Sequence, residues 1–280
     1  MKISIVTPTY NEAKNIKDLY LEIKKEMLNI SCEYEHIIID NSSDDGTIEI
    51  IKKLAENDKN LKIIINAKNY GHIRSPFYAL LQTNSNATIL MASDFQDPID
   101  LIPKYIAEWK KGKKIVLGEK TSSEENKIKY SIRTLFYNFL NKISEFELPI
   151  NTTGSGIFDK AIIEKLKKIN DPYPYFRGLI TELGEDISII QFNQPKRKSG
   201  KTKNNLFTLY DIGMLGIVKH SRKPLRFMTL LGFLASIVSF TVGIIYLFYK
   251  LLFWDSFSLG LAPIIIGIFF VSAVQITLLG

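Results

Sequence analysis

Apolar and polar positions along the first 120 residues switch repeatedly between a period near two and a period near 3.6, and the order of the switches predicts an architecture. Residues 2–7 read as a strand, 12–27 as a helix, and 35–39 as a second, β-branched strand closed by Asp40. Residues 47–55 read as helical, 61–65 as extended, 75–81 as helical, 87–91 as extended, 101–109 as helical and 115–117 as another strand. Strand and helix taking turns imply right-handed crossovers and an α/β domain whose mostly parallel sheet is covered on both faces. In such sheets ligands sit beyond the carboxyl ends of the strands.

The pattern changes after Arg226. Residues 227–249 and 256–279 are two uncharged runs, and at about 1.5 Å per residue each is long enough for a hydrocarbon core of about 30 Å. They predict a two-helix transmembrane hairpin, with Trp254 at the interface and Pro263 permitting a kink in the second helix. Ahead of them Leu206, Leu209, Tyr210, Ile212, Leu215, Ile217 and Val218 recur at nearly helical spacing. That segment predicts either an amphipathic helix lying along a bilayer or a core helix of the preceding domain. The expected domains are residues 1–203, a juxtamembrane segment 204–226 and the hairpin 227–280. The chain stops at Gly280 inside an apolar stretch, so further residues are expected after it.

Charge sharpens this division. Of 36 Lys+Arg and 29 Asp+Glu in 280 residues, only Lys250 and Asp255 lie in the last 54. Lys219, His220, Arg222, Lys223 and Arg226 load positive charge just before the first span, which predicts a cytoplasmic first domain on a multi-pass protein of the cytoplasmic (inner) membrane. The N-terminus lacks the longer apolar core of a signal peptide. A net charge of +7 without an aromatic-interleaved basic stripe argues against nucleic acid and for a membrane surface as partner. The single Cys32 excludes an intrachain disulfide framework, and His36, His72 and His220 are too scattered to form a metal set.

Polar clusters close the apolar strands. Thr7-Pro8-Thr9-Tyr10-Asn11-Glu12 follows the first and Asp40-Asn41-Ser42-Ser43-Asp44-Asp45-Gly46-Thr47 the second, the latter reading equally well as a turn capping the next helix. Ala92-Ser93-Asp94-Phe95-Gln96-Asp97-Pro98 follows the fourth and places two carboxylates and an amide within four positions. Oxygen ligands at this density suit Mg2+ or Mn2+ shared with diphosphate oxygens, which points to a nucleotide-diphosphate site. Asp97-Pro98 also reads as the start of the following helix, leaving Asp94 as the sharper ligand.

In this order the three stretches resemble the family 2 glycosyltransferases, specifically the membrane-anchored polyprenyl-phosphate glycosyltransferases related to dolichol-phosphate mannose synthase. A Pro-x-Tyr-Asn-Glu run is matched by Pro8, Tyr10, Asn11 and Glu12; a Val-Asp-Asp-Gly-Ser-x-Asp-Gly-Thr run is matched at Asp40, Ser43, Asp45, Gly46 and Thr47, with Asn41 and Ser42 departing. Asn69-Tyr70-Gly71, Arg133 with Phe136-Tyr137, Arg177-Gly178-Leu179, and Arg197, Gly200 and Lys203 meet later motifs. The metal motif Asp-x-Asp-x-Gln-Asp-Pro has Ala92 at its first aspartate, and a carboxylate is replaced near Gly154.

The resemblance implies a GT-A-type, Rossmann-like domain that transfers sugar with inversion from a nucleotide donor to polyprenyl (undecaprenyl) phosphate, serving cell-envelope glycans. It implies donor contacts from Pro8, Tyr10, Glu12, Asp40, Lys68, Ser93 and Asp94, and Mg2+ or Mn2+ on Asp94 and Gln96. Lys120, Arg133, Arg177, Arg197 and Lys203 would bind the acceptor phosphate, two-pronged where the cation is a guanidinium. A phosphate acceptor is already an anion and needs no strong base, whereas a hydroxyl acceptor on a lipid-linked saccharide or polysaccharide would call on Glu182 or Asp97. Asp94, Asp97, Arg133 and Glu182 are thus the catalytic candidates. A non-catalytic membrane partner with a degraded metal site is the remaining alternative, and homo-oligomerisation through the hairpin is implied by resemblance alone.

Overall fold

Strands β1 (Lys2–Thr9), β2 (Glu33–Asp40), β3 (Leu61–Ile65) and β4 (Ala87–Leu90) alternate with helices α1 (Ile16–Ile30), α2 (Thr47–Glu56) and α3 (Gly71–Leu81). α4 (Leu101–Lys110) leads to β5 (Ile115–Ser122), and β6 (Thr152–Asp159), α5 (Lys160–Ile169), α6 (Phe176–Glu182) and β7 (Ile187–Asn193) complete the domain. This computed structural model describes residues 1–122, 152–195, 206–253 and 261–279. The strands form one seven-stranded sheet in the order β3-β2-β1-β4-β6-β5-β7. β1 to β4 pair in parallel and β7 is parallel to β5, while β6 runs antiparallel between β4 and β5.

Alternation along each strand divides the core into two layers. Ile5 and Ile38 face a cluster that includes Leu19, Ile23 and Met27 of α1, Ile51 of α2 and Tyr105 of α4. Their neighbours Val6, Ile37 and Ile39 face the other side, where Phe77 and Leu80 of α3, Ile162 and Leu166 of α5 and Ile180 of α6 pack. A period of two in the strand therefore buries both faces, as a helix-covered parallel sheet requires. Cys32 packs half-buried against the first layer, where burial raises its thiol pKa.

Several sequence expectations need correction. α1 begins at Ile16 rather than at residue 12, because Asn11 has φ 56° and Glu12 turns the chain, its carbonyl accepting from both Asn15 N–H and Ile16 N–H at 2.9 Å. α3 begins four residues before the expected Ser75, at Gly71, whose N–H is held by Asn69 Oδ1 at 2.8 Å. Asp97-Pro98 does not start α4, which begins at Leu101; the Asp97 carboxylate instead accepts from Ala92 N–H at 3.2 Å and closes the loop on itself. The antiparallel β6 and the elements α5 to β7 had no counterpart in the sequence reading.

The chain divides into two compact units, Met1–Gly216 and Ile217–Gly280. α7 (Leu206–His220) exposes Tyr210, Met214 and Val218 four residues apart. α7 covers the helical spacing read over Leu206–Val218; the chain then breaks at Ser221, and α8 (Lys223–Leu252) begins at Lys223. Within the second unit α8 packs against α9 (Leu261–Leu279). Leu225–Leu252 is the one helix among the described residues long and apolar enough to cross a membrane, 28 residues at a mean hydropathy of 2.2. It carries Lys250 inside its last turn rather than in a break after residue 249. Residues 254–260, between the two helices, lie outside the described residues.

Candidate functional site

Parallel pairing brings the polar clusters to one rim. Thr9 at the end of β1 is level with Asp40 at the end of β2, and Asp40 with Ile65 at the end of β3. Leu90 at the end of β4 is level with Gly156 of β6, so the antiparallel strand begins where its neighbours finish. The ladder continues into the loops through Asn41 N–H to Thr9 O, Asn66 N–H to Asp40 O and Met91 N–H to Val6 O. Along this rim stand, in strand order, the loops after β3, β2, β1 and β4, then the start of β6 and the end of β5 carrying Lys120.

Asp40 is wholly buried at the rim, a location that demands fixed partners for a carboxylate. Ser43 supplies them, its N–H donating to Oδ1 at 2.8 Å and its hydroxyl to Oδ2 at 2.5 Å. The same hydroxyl oxygen accepts Asn11 N–H at 2.8 Å, and Asn11 and Asp44 bond reciprocally at 2.7 and 3.0 Å. Glu12 N–H donates to Thr47 Oγ1 and Ala13 N–H to Asp45 Oδ2, both at 3.0 Å. Burial works to raise the Asp45 pKa, but the donors Thr47 and Ala13 outweigh it and hold the carboxyl below its ordinary value. The loops after β1 and β2 are thus zipped together, and at the start of α2, just ahead of its N-cap Gly46, Asp45 Oδ1 accepts the Thr47 N–H at 3.1 Å.

The loop after β4 is bonded within itself. Ala92 N–H reaches the carboxylate of Asp97, Gln96 N–H donates to Asp94 Oδ1 at 3.2 Å, and Phe95 between them has φ 60°. Ser93, Asp94 and Asp97 are all buried. Of five non-glycine residues with positive φ among the described residues, Ser31 and Asn170 follow the last turns of α1 and α5, whereas Asn11, Ser42 and Phe95 sit in the three rim loops. Backbone strain in such clusters persists where a binding surface is being held. Thr9 Oγ1, level with Asp40, is buried without a hydrogen-bond partner.

The donor set fits a hard cation shared with a ligand. Asp94 and Gln96 offer oxygen atoms on one fixed loop, and among the described residues no three His, Cys, Asp or Glu side chains gather into a closed metal cage. An ion held there would draw its remaining oxygens from diphosphate and water, as Mg2+ and Mn2+ commonly do.

Pro8, Tyr10, Glu12, Asp40, Lys68, Ser93, Asp94, Gln96, Asp97 and Lys120 are brought to this rim. Lys120 Nζ donates to Gln194 Oε1 at 3.3 Å. Arg177 lies in the first turn of α6. Glu182 ends that helix, three residues before Glu185, which pairs with Lys114 and Lys165 near the amino end of β5; it is not brought to Asp94. Arg133, Arg197 and Lys203 lie outside the described residues. Sequence reasoning missed Ser43 as the partner of Asp40 and Thr9 as the unpartnered hydroxyl beside it, for neither role leaves a mark within a single motif.

The Glycosyl transferase family 2 pattern matches residues 4–167, more than half of the 280. The chain belongs to glycosyl transferase family 2. Its relatives include the uncharacterized glycosyltransferase YkcC of Bacillus subtilis, 29% identical over all of this chain and 87% of that protein. The bactoprenol glucosyl transferase of Shigella phage SfX is 27% identical over all of this chain and 92% of its own length. Glucosyl-3-phosphoglycerate synthase from Mycobacterium tuberculosis, solved with Mn2+, UDP and glucosyl-3-phosphoglycerate, superposes with a TM-score of 0.53 at 14% identity, covering 77% of each chain. That likeness gives the family member a GT-A-like α/β fold with a mostly parallel, mixed sheet.

Proposed function

We propose that this glycosyltransferase moves a sugar from a nucleoside-diphosphate donor to polyprenyl phosphate at the cytoplasmic face of a membrane. The observation that carries the reading is the full-length match to bactoprenol glucosyl transferases in a chain whose rim gathers Asp40, Asp94 and Lys120. Pro8, Tyr10, Glu12, Asp40, Lys68 and Ser93 would receive the nucleotide, with Asp94 and Gln96 holding Mg2+ or Mn2+ at the diphosphate. The ion, when bound, supplies positive charge to the departing diphosphate. Asp94 sets where that charge stands, and the strained loop around Phe95 keeps it there without reorganisation.

A phosphate oxygen of the acceptor would attack the anomeric carbon as the bond from that carbon to the nucleoside diphosphate breaks, inverting the centre. Lys120 and Arg177, with Arg133, Arg197 and Lys203, would orient the acceptor phosphate. No side chain need remove a proton. The position of Glu182, near the amino end of β5 rather than beside Asp94, favours this over a hydroxyl acceptor, for which Asp97 would be the base in reach. Residues 1–203 would form the catalytic domain, 204–226 the approach to the bilayer, and α8 and α9 a membrane hairpin that keeps the active site at the lipid headgroups and offers an oligomer contact.

The test is transfer of label from a panel of nucleotide sugars to undecaprenyl phosphate by the purified full-length protein with Mg2+ or Mn2+, with Asp94→Asn in parallel. Label in lipid from one donor, lost in the variant, is the expected result. No label from any donor, with folded protein and dispersed lipid, would overturn the assignment.

A further inference from the structure

Asn41 stands where the family motif carries a second aspartate, and the structure gives the exchange a reason. Its amide uses its full hydrogen-bonding capacity of two donors and two acceptor sites. Oδ1 accepts from Tyr70 N–H at 2.9 Å and from Asn66 Nδ2 at 3.1 Å; Nδ2 donates to Asn69 Oδ1 at 2.8 Å and to Gly71 O at 3.3 Å. Tyr70 N–H and Gly71 C=O are backbone groups of fixed polarity, so they determine which end of the amide is which. Asn69 Oδ1 also accepts Gly71 N–H, and Asn66 Nδ2 also donates to Ser75 Oγ at 3.0 Å. One buried side chain on the β2 loop therefore fixes the whole connection from β3 into α3.

That connection carries an unusual surface. Lys68 Nζ and Arg74 Cζ each lie 5.4 Å from the centroid of the half-exposed Tyr70 ring. Among the described residues neither cation pairs with a carboxylate. A ring flanked by two cations matches a planar base joined to an anionic diphosphate. The surface adjoins Asp40, through Asn66 N–H to Asp40 O at 2.9 Å.

We propose that Asn41 is a positioning residue for the donor, holding Tyr70 and Arg74 beside Lys68 as a binding surface for the nucleoside diphosphate. The inference rests on the donor reading above. Asn41→Asp restores the family residue and conserves shape, yet it sets carboxylate oxygen against Gly71 O and Asn69 Oδ1. Asn69 can reverse its amide to donate, but Gly71 N–H then loses its acceptor and Gly71 O still faces the anion. The exchange therefore keeps the acceptor contacts to Tyr70 and Asn66 and removes the two bonds that the amide nitrogen donates to Asn69 and Gly71.

The experiment measures binding of UDP and GDP to the full-length protein in detergent by titration calorimetry, with Asn41→Asp and the exposed Arg74→Gln, alongside donor and acceptor kinetics. Asn41→Asp is expected to weaken the bound nucleotide by about tenfold, the scale of one or two lost buried hydrogen bonds. It should raise KM for the donor by a similar factor while leaving KM for the lipid unchanged, a split that general loosening of the fold would not produce. Arg74→Gln is expected to weaken binding by about threefold, less at high salt. Wild-type affinity in both variants overturns the inference and leaves the donor reading intact; if Asn41→Asp fails to fold, wild-type affinity in Arg74→Gln alone overturns it. Failure of the wild-type protein to bind either nucleotide overturns the donor reading and this inference with it.

Discussion

His36 sits wholly inside the first core layer, stacked on Tyr20 at 6.2 Å between ring centroids, its Nε2 2.9 Å from Thr7 Oγ1 and its Nδ1 without a partner. Burial pushes its pKa down from the ordinary 6.5 to about 3, against a small opposing pull from Asp58. Because the folded value is the lower, the unfolded chain takes up the proton first. The stability is complete above about pH 7 and drains away as pH falls from 6.5 towards 3. At pH 5 the unfolded imidazole is protonated about 30-fold over its neutral form, so the loss is RT ln 30, about 2 kcal/mol. For a unit of this size that lowers Tm by roughly 4–8 °C. Glu35 does not confuse the window: burial raises its pKa, but Lys62, Ser4 and Lys2 bring it down to about 2, so its contribution is whole above about pH 4.5 and is lost as pH falls from there through about 2. The assay is urea unfolding of the full chain in detergent at pH 7.5 and pH 5, followed by the fluorescence of Trp109, whose indole donates to Asp159 at 2.8 Å. His36→Gln should remove most of the difference between the two pH values. An undiminished difference in that variant would refute the assignment to His36.

Other consequences can be measured directly. A Cβ at Gly156 would stand 2.3 Å from Val116 O and 3.0 Å from Leu117 Cδ2, so Gly156→Ala should cost roughly 2–3 kcal/mol in denaturant unfolding, and a neutral result would show that β5 and β6 can separate there. A chelator should abolish transfer, with Mg2+ or Mn2+ restoring it, and transfer undiminished by the chelator would remove Asp94 and Gln96 from the metal role.

The parallel half of the sheet was legible because each of its strands is a short β-branched run followed by a helical period. β6 was not: Thr152-Thr153-Gly154-Ser155-Gly156 has the composition of a loop, and only its pairing between β4 and β5 makes it a strand. The start of α1 was misread for a related reason, since its first turn is diverted by Ser43, Asp45 and Thr47, more than 30 residues away. Asp40 and Asp94 could be found as polar residues ending apolar strands. The role of Asn41 could not, because its partners lie 25 to 30 positions further on. Glu182 carries no local signal that places α6 along the sheet.

The central claim concerns what accepts the sugar, and the mass of the organic-soluble product tests it most directly. After reaction with the active donor and a mixture of undecaprenyl phosphate and lipid-linked oligosaccharide, the account predicts a species equal to undecaprenyl phosphate plus one sugar residue, absent with Asp94→Asn. A product in which only the oligosaccharide has gained a sugar would contradict it.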